Sequence, residues 1–137
     1  AVTMRHWSTE PDATQSATEQ RVRRMAEAAT DPLSYGVIEL DGTAIGMAGL
    51  HHGTEIGFIL NRSHWRRGLM REAMRAIIPH LFATRNVLHL TADADPENRA
   101  SVSTLTALGF VVSGYARDTY HVDGHWSHSV YFRLPRP

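Results

Sequence analysis

The chain has 137 residues, of which 42% are hydrophobic and 20% charged, with a formal net charge of zero and no cysteine. That length makes one folded domain with a real core, and residues 1–137 read as a single unit. Zero net charge speaks against a dedicated nucleic-acid binder, the lack of cysteine excludes disulfides and thiolate chemistry, and no run reaches the ~20 apolar residues of a membrane helix.

The N-terminus lacks a basic segment followed by an apolar core, so a cytoplasmic location is the default expectation. Residues 1–14 are polar, hold Pro11 and read as irregular. Ser16-Ala17-Thr18-Glu19 has capping-box form, and Val22, Met25, Ala26 and Ala29 follow at helical spacing. This helix should stop near Thr30, ahead of Pro32. A hairpin follows: Tyr35–Leu40 and Thr43–His52 flank the turn dipeptide Asp41-Gly42. Gly46 and Gly49 inside its second strand predict a bulge or a close backbone approach.

Glu55–Leu60 reads as a further strand, with Ile56, Phe58 and Leu60 on one face and Glu55, Gly57 and Ile59 on the other. Gly68–Thr84 reads as a helix whose buried stripe is Met70, Ala73, Met74, Ile77, Ile78, Leu81 and Phe82, with Pro79 expected to kink it. Val87–Ala94 is the next strand. Asp95-Pro96 then predicts a helix start with Asp95 as N-cap, and Gly109 its stop. A last hairpin runs from Phe110–Tyr120 to Trp126–Leu134 around Asp123-Gly124. Alternating helices and strands in this order indicate an α/β or α+β layer architecture.

Two stretches carry chemistry. His64–Met74, HWRRGLMREAM, puts a basic, glycine-containing turn between a strand and a helix. The first N–H groups of a helix lack intrahelical partners and sit at the positive end of its dipole, which suits phosphate. Downstream lies DPENRASVSTLTALGF, Asp95–Phe110. Together they resemble the GNAT (general N-acetyltransferase) superfamily, in its RimJ/RimL-like ribosomal-protein N-acetyltransferase branch. Trp65-Arg66-Arg67-Gly68-Leu69-Met70-Arg71-Glu72 corresponds to the cofactor turn: Gly68 matches, while Arg66 and Met70 replace small residues. Asp95, Pro96, Asn98, Ser101 and Leu108-Gly109-Phe110 match the second block. Glu55–Phe58 is similar to the central strand, and Arg117–Trp126 to the final hairpin.

The resemblance implies the GNAT acyl-CoA N-acyltransferase fold, a mixed and mostly antiparallel sheet with splayed central strands flanked by helices. It implies transfer of acetyl from acetyl-CoA to a primary amine, at a protein N-terminus or on a small molecule, without a metal. The pyrophosphate would meet the backbone of Arg67, Gly68, Met70 and Arg71, with the Arg66 and Arg71 side chains as further partners. Pantetheine would lie along Phe58, Ile59 and Leu60, with the oxyanion donor near Ile59 or Leu60 and Asn98 on the pantetheine amides. Glu55 would take the amine's proton. Ser101 would serve the leaving thiolate, because Leu105 stands where many members carry a tyrosine. His6 and Trp7 fall in the loop that borders the acceptor pocket in relatives.

Against the family pattern the chain begins after the first strand and helix, so it reads as N-terminally truncated. A neighbouring subunit covering the resulting sheet edge would make a homodimer. The histidines at 51, 52, 121, 125 and 128 invite a metal reading. A two-residue turn at Asp123-Gly124 opposes it, because His121 then pairs with Trp126 and His125 with Val122, on opposite faces. The competing function is a non-catalytic acyl-CoA-binding or regulatory module on the same fold.

Overall fold

A computed structural model describes His6, residues 11–28 and residues 35–137, with only the backbone at Met25, Ala26 and Ala28. Along the chain it places α1 (Gln15–Ala28), β1 (Tyr35–Leu40), β2 (Thr43–His52), β3 (Glu55–Leu60), a short 3-10 turn at Arg62–His64 and α2 (Leu69–Thr84). There follow β4 (His89–Ala94), α3 (Arg99–Ala107), β5 (Val111–Val122) and β6 (His125–Pro135). The six strands form one sheet in the order β1-β2-β3-β4-β6-β5. All neighbours are antiparallel except β3 and β4. The expected fold class is therefore found, with β1 and β5 as the sheet's edges.

The core lies on one face of the sheet. α2 buries Met70, Met74, Ile78, Leu81 and Phe82, the stripe its helical spacing dictates, and runs through Pro79 as one element. These side chains meet Ile56 and Leu60 of β3, Leu90, Ala92 and Ala94 of β4, Phe132 of β6, and Leu105 of α3. The strict alternation of buried and half-buried residues along β4 leaves Thr91 and Asp93 on the opposite face.

Several boundaries differ from the sequence expectation, each for a local reason. Asp95 does not cap α3. Its Oδ1 accepts the Glu97 N–H at 2.8 Å in a tight turn, while Asn98 is the N-cap, its Oδ1 accepting the Ser101 N–H at 3.2 Å. Both are good capping residues, and the turn that Asp95 forms with its own backbone takes it out of the competition. α1 begins at Gln15 rather than after Ser16, with Thr14 Oγ1 accepting the Ala17 N–H at 3.2 Å. Val22 of this helix is 45% exposed, so the predicted apolar stripe is not buried there. The expected stop near Thr30 falls outside the described residues. β4 starts at His89, two residues later than expected, and the final hairpin extends to Val122 and His125.

Two irregularities position functional groups. Gly46 faces Leu60, and a Cβ on it would collide with the Ile59 carbonyl oxygen, so β2 and β3 come together here only because residue 46 has no side chain. β5 bulges between Ala116 and Tyr120, where Asp118 adopts φ 53 and its N–H donates to His128 Nδ1 at 3.1 Å. Beyond the bulge His121 pairs with Trp126, and Val122 with His125, as the two-residue turn requires.

Candidate active site

β3 and β4 meet in parallel at Glu55 and Thr91, where the Thr91 N–H donates to the Thr54 carbonyl at 2.9 Å. Among the described residues no ladder continues from there toward Leu60 and Ala94, so the strands splay. Strand backbones alternate in direction. The Asn61 N–H donates to Ile45 of β2 at 2.7 Å, which gives Ile59 to the β2 side as well. Phe58 and Leu60 therefore turn their N–H and C=O groups toward the gap. Of the two residues expected to give an oxyanion donor, Leu60 turns its N–H to the gap and Ile59 turns its N–H to β2. The indole of Trp65 donates to the Leu60 carbonyl at 2.8 Å and ties the following turn to the end of β3.

The turn ends at Gly68, the N-cap of α2, at φ 76. That left-handed conformation suits glycine, and a Cβ built there meets nothing within 4 Å, so the space beside it is open. No side chain caps the helix, and its first N–H groups have no intrahelical partner. Met70, bulky where the branch has a small residue, is only 8% exposed and belongs to the core, so it does not fill this space. Arg66 also adopts a positive φ, of 60.

Between the free edge of β3, the start of α2 and the start of α3 lies a cleft of about 600 Å³. It brings together His6, Phe58, Ile59, Leu60, Arg66, Gly68, Met70, Arg71, Asn98 and Ser101. Two expected residues stand apart. Arg67, expected to contribute its backbone N–H, is not among the cleft's lining residues, and its guanidinium lies 3.2 Å from His64 Nδ1. Glu55 is outside the cleft, at the paired end of β3. Trp7 lies outside the described residues. His6 reaches the cleft and holds Asp95 Oδ2 at 3.0 Å. Leu105 is 1% exposed, so its position offers the cleft no proton donor. Among the described residues no three histidine or carboxylate side chains converge as metal ligands.

Sequence reading missed two features that the structure shows. Arg99, in the first turn of α3, lines the same cleft and adds a cation; its place beside the matched asparagine was the available signal. The second is a polar network on the sheet's far face. Tyr120 Oη and Ser129 Oγ both reach Asp93 Oδ2, at 3.1 and 2.9 Å. These residues come from three strands, and no local motif announces them.

Comparisons with known proteins identify the family and the fold. The [ribosomal protein uS5]-alanine N-acetyltransferase of Escherichia coli (strain K12) is 30% identical over 107 residues, 78% of this chain and 55% of that protein. The chain thus spans about half the length of such curated relatives. An acetyl transferase from Salmonella typhimurium, described as modifying the N-terminal serine of 50S ribosomal subunit protein L7/L12, superposes with a TM-score of 0.85 at 13% identity, covering 99% of this chain and 82% of that one. The spermidine N-acetyltransferase of Vibrio cholerae, solved with CoA and spermine, gives a TM-score of 0.79 at 17% identity over 98% of this chain and 82% of that one. The family model described as "Acetyltransferase (GNAT) domain" matches residues 1–111, and the chain belongs to that family.

Proposed function

We propose that this chain transfers an acetyl group from acetyl-CoA to a primary amine, on a protein N-terminus or a small molecule. The observation that carries the reading is the cleft itself: an open αL glycine at a helix N-terminus, a free strand edge and Asn98 line one space. The residues present fit the cofactor. The N–H groups of Gly68, Met70 and Arg71 would hold its pyrophosphate with the Arg66 and Arg71 side chains. The free edge at Phe58 would pair with its pantetheine amides, beside Asn98.

When bound, acetyl-CoA supplies an acetyl thioester, whose C–S bond breaks with its electron pair going to sulfur as the amine nitrogen forms the C–N bond. The chain's own groups handle charge and protons. The Leu60 N–H would donate to the carbonyl oxygen as negative charge gathers on it. Glu55, at the paired end of the same strand, accepts the ammonium proton directly or through water. Ser101, which lines the cleft, would donate a proton to the departing sulfur.

Acetylation of a panel holding an N-terminal alanine peptide, spermidine and an amine antibiotic, followed by mass spectrometry, tests the reading. Transfer to at least one amine is expected. Glu55→Gln should lower kcat at least tenfold, in the range of a lost general base, and leave acetyl-CoA affinity unchanged; unchanged kcat removes Glu55 from the reaction. A non-catalytic CoA-binding module is the second reading, favoured by the buried Leu105. It predicts cofactor binding with no transfer to any amine.

A further inference from the structure

The sheet face turned away from α2 and α3 carries a second polar centre next to the splay. Asp93 lies on β4, two residues beyond the Thr91 that pairs with Glu55, and on the same face as Thr91. Its Oδ2 accepts from Tyr120 Oη at 3.1 Å and from the fully buried Ser129 Oγ at 2.9 Å. Thr119 Oγ1 stands 2.8 Å from Ser129 Oγ and completes the chain of hydroxyls. The β5 bulge is what brings Thr119 and Tyr120 over Ser129, since a bulge re-aims the side chains that follow it.

Glu55 shares this face, since it pairs with Thr91, two residues before Asp93 on β4. Gly57, two residues beyond Glu55 on the same face, carries no side chain, and a Cβ there would lie 3.4 Å from Tyr35 Oη. Burial first, then the charge and hydrogen bond of Asp93, push the Tyr120 phenol up to about 12. It therefore keeps its proton, and that proton is committed to Asp93. The phenolic oxygen retains lone pairs, and Tyr120 is 39% exposed.

We propose that Tyr120, oriented by Asp93, binds the acceptor amine, taking an ammonium N–H on its phenolic oxygen beside the Glu55 carboxylate. The inference rests on the acetyltransferase reading and adds a substrate class to it. Two carboxylates on one face favour a primary ammonium and repel an anion attached next to it. The acceptor is an amine without a free carboxylate on its α-carbon, as at a peptide N-terminus or in a polyamine, and a free α-amino acid is disfavoured. Tyr120 is the contact residue; Asp93 is a positioning residue.

The test titrates alaninamide and free alanine into the CoA-saturated protein. Alaninamide is expected to bind at least tenfold more tightly than alanine. Tyr120→Phe should weaken alaninamide about tenfold, the worth of one hydrogen bond to a charged group. Asp93→Asn should do the same, and in its ultraviolet titration the latest phenol should ionise at lower pH, a change that lost packing alone does not produce. Both variants should hold CoA as the wild type does. Equal alaninamide affinity in the wild type and both variants, no alaninamide binding to the wild type, or equal affinity for alanine and alaninamide overturns the inference. Intact CoA binding in those samples would leave the acetyltransferase reading standing, whereas loss of CoA binding by the wild type would remove both.

Discussion

Asp93 concentrates the electrostatic cost of the site. Burial raises its carboxyl above the ordinary value of 3.8, and donors from Ser129, Tyr120 and the Ala94 backbone offset part of that, while Asp95 adds to the rise. The sign of the consequence follows from proton counting. Between 3.8 and the raised native value the folded chain holds a proton that the unfolded chain has lost, so stability falls as pH rises through that window. Denaturant unfolding across that range should show this fall in the wild type and a flatter profile in Asp93→Asn. Superimposable profiles would mean that Asp93 carries no such burden. A half-buried carboxylate that lowers stability at neutral pH fits a group retained for function.

At the scale of elements, the site depends on how β3 leaves its neighbours. Gly46 lets β2 hold β3 closely at its far end, and Trp65 fastens the Leu60 carbonyl to the turn before α2. Gly46→Ala forces the strands apart at the Ile59 carbonyl and should destabilise by about 2 kcal/mol, in the range of overpacking substitutions. It should also weaken CoA binding, because the free edge of Phe58 and Leu60 moves with β3. A CoA affinity equal to the wild type's would show that the edge is not part of the cradle. This behaviour was half visible in the sequence. A glycine inside an apolar strand signals close approach, and at Gly46 the neighbour is the Ile59 carbonyl. The α3 start was misread because Asp95 and Asn98 are both good caps three residues apart, and only the chain's path decides between them.

For the whole molecule, order and periodicity in the sequence were enough for the sheet and for the two helices that border the cleft. Those features are local: a turn glycine ahead of an apolar stripe, an asparagine and serine opening a helix. The acceptor side was not legible in the same way. Asp93, Tyr120 and Ser129 sit 27 and 36 residues apart in their hydrogen-bonded pairs, and a bulge sets which face Tyr120 takes. Sequence spacing fixes strand faces only where the ladder is regular. A shared fold does not fix the acceptor, so the acceptor has to be argued from particular side chains.

The central claim is that the Gly68 turn, the β3 edge and Asn98 form a CoA cradle. Calorimetric titration of acetyl-CoA into the wild type and into Gly68→Asp, with ATP as the control, tests it most directly. The account predicts micromolar binding of acetyl-CoA by the wild type, much tighter than ATP, and none by Gly68→Asp, whose carboxylate would occupy the open space where the pyrophosphate belongs. Acetyl-CoA binding equal in the two proteins, or no stronger than ATP in the wild type, would contradict it.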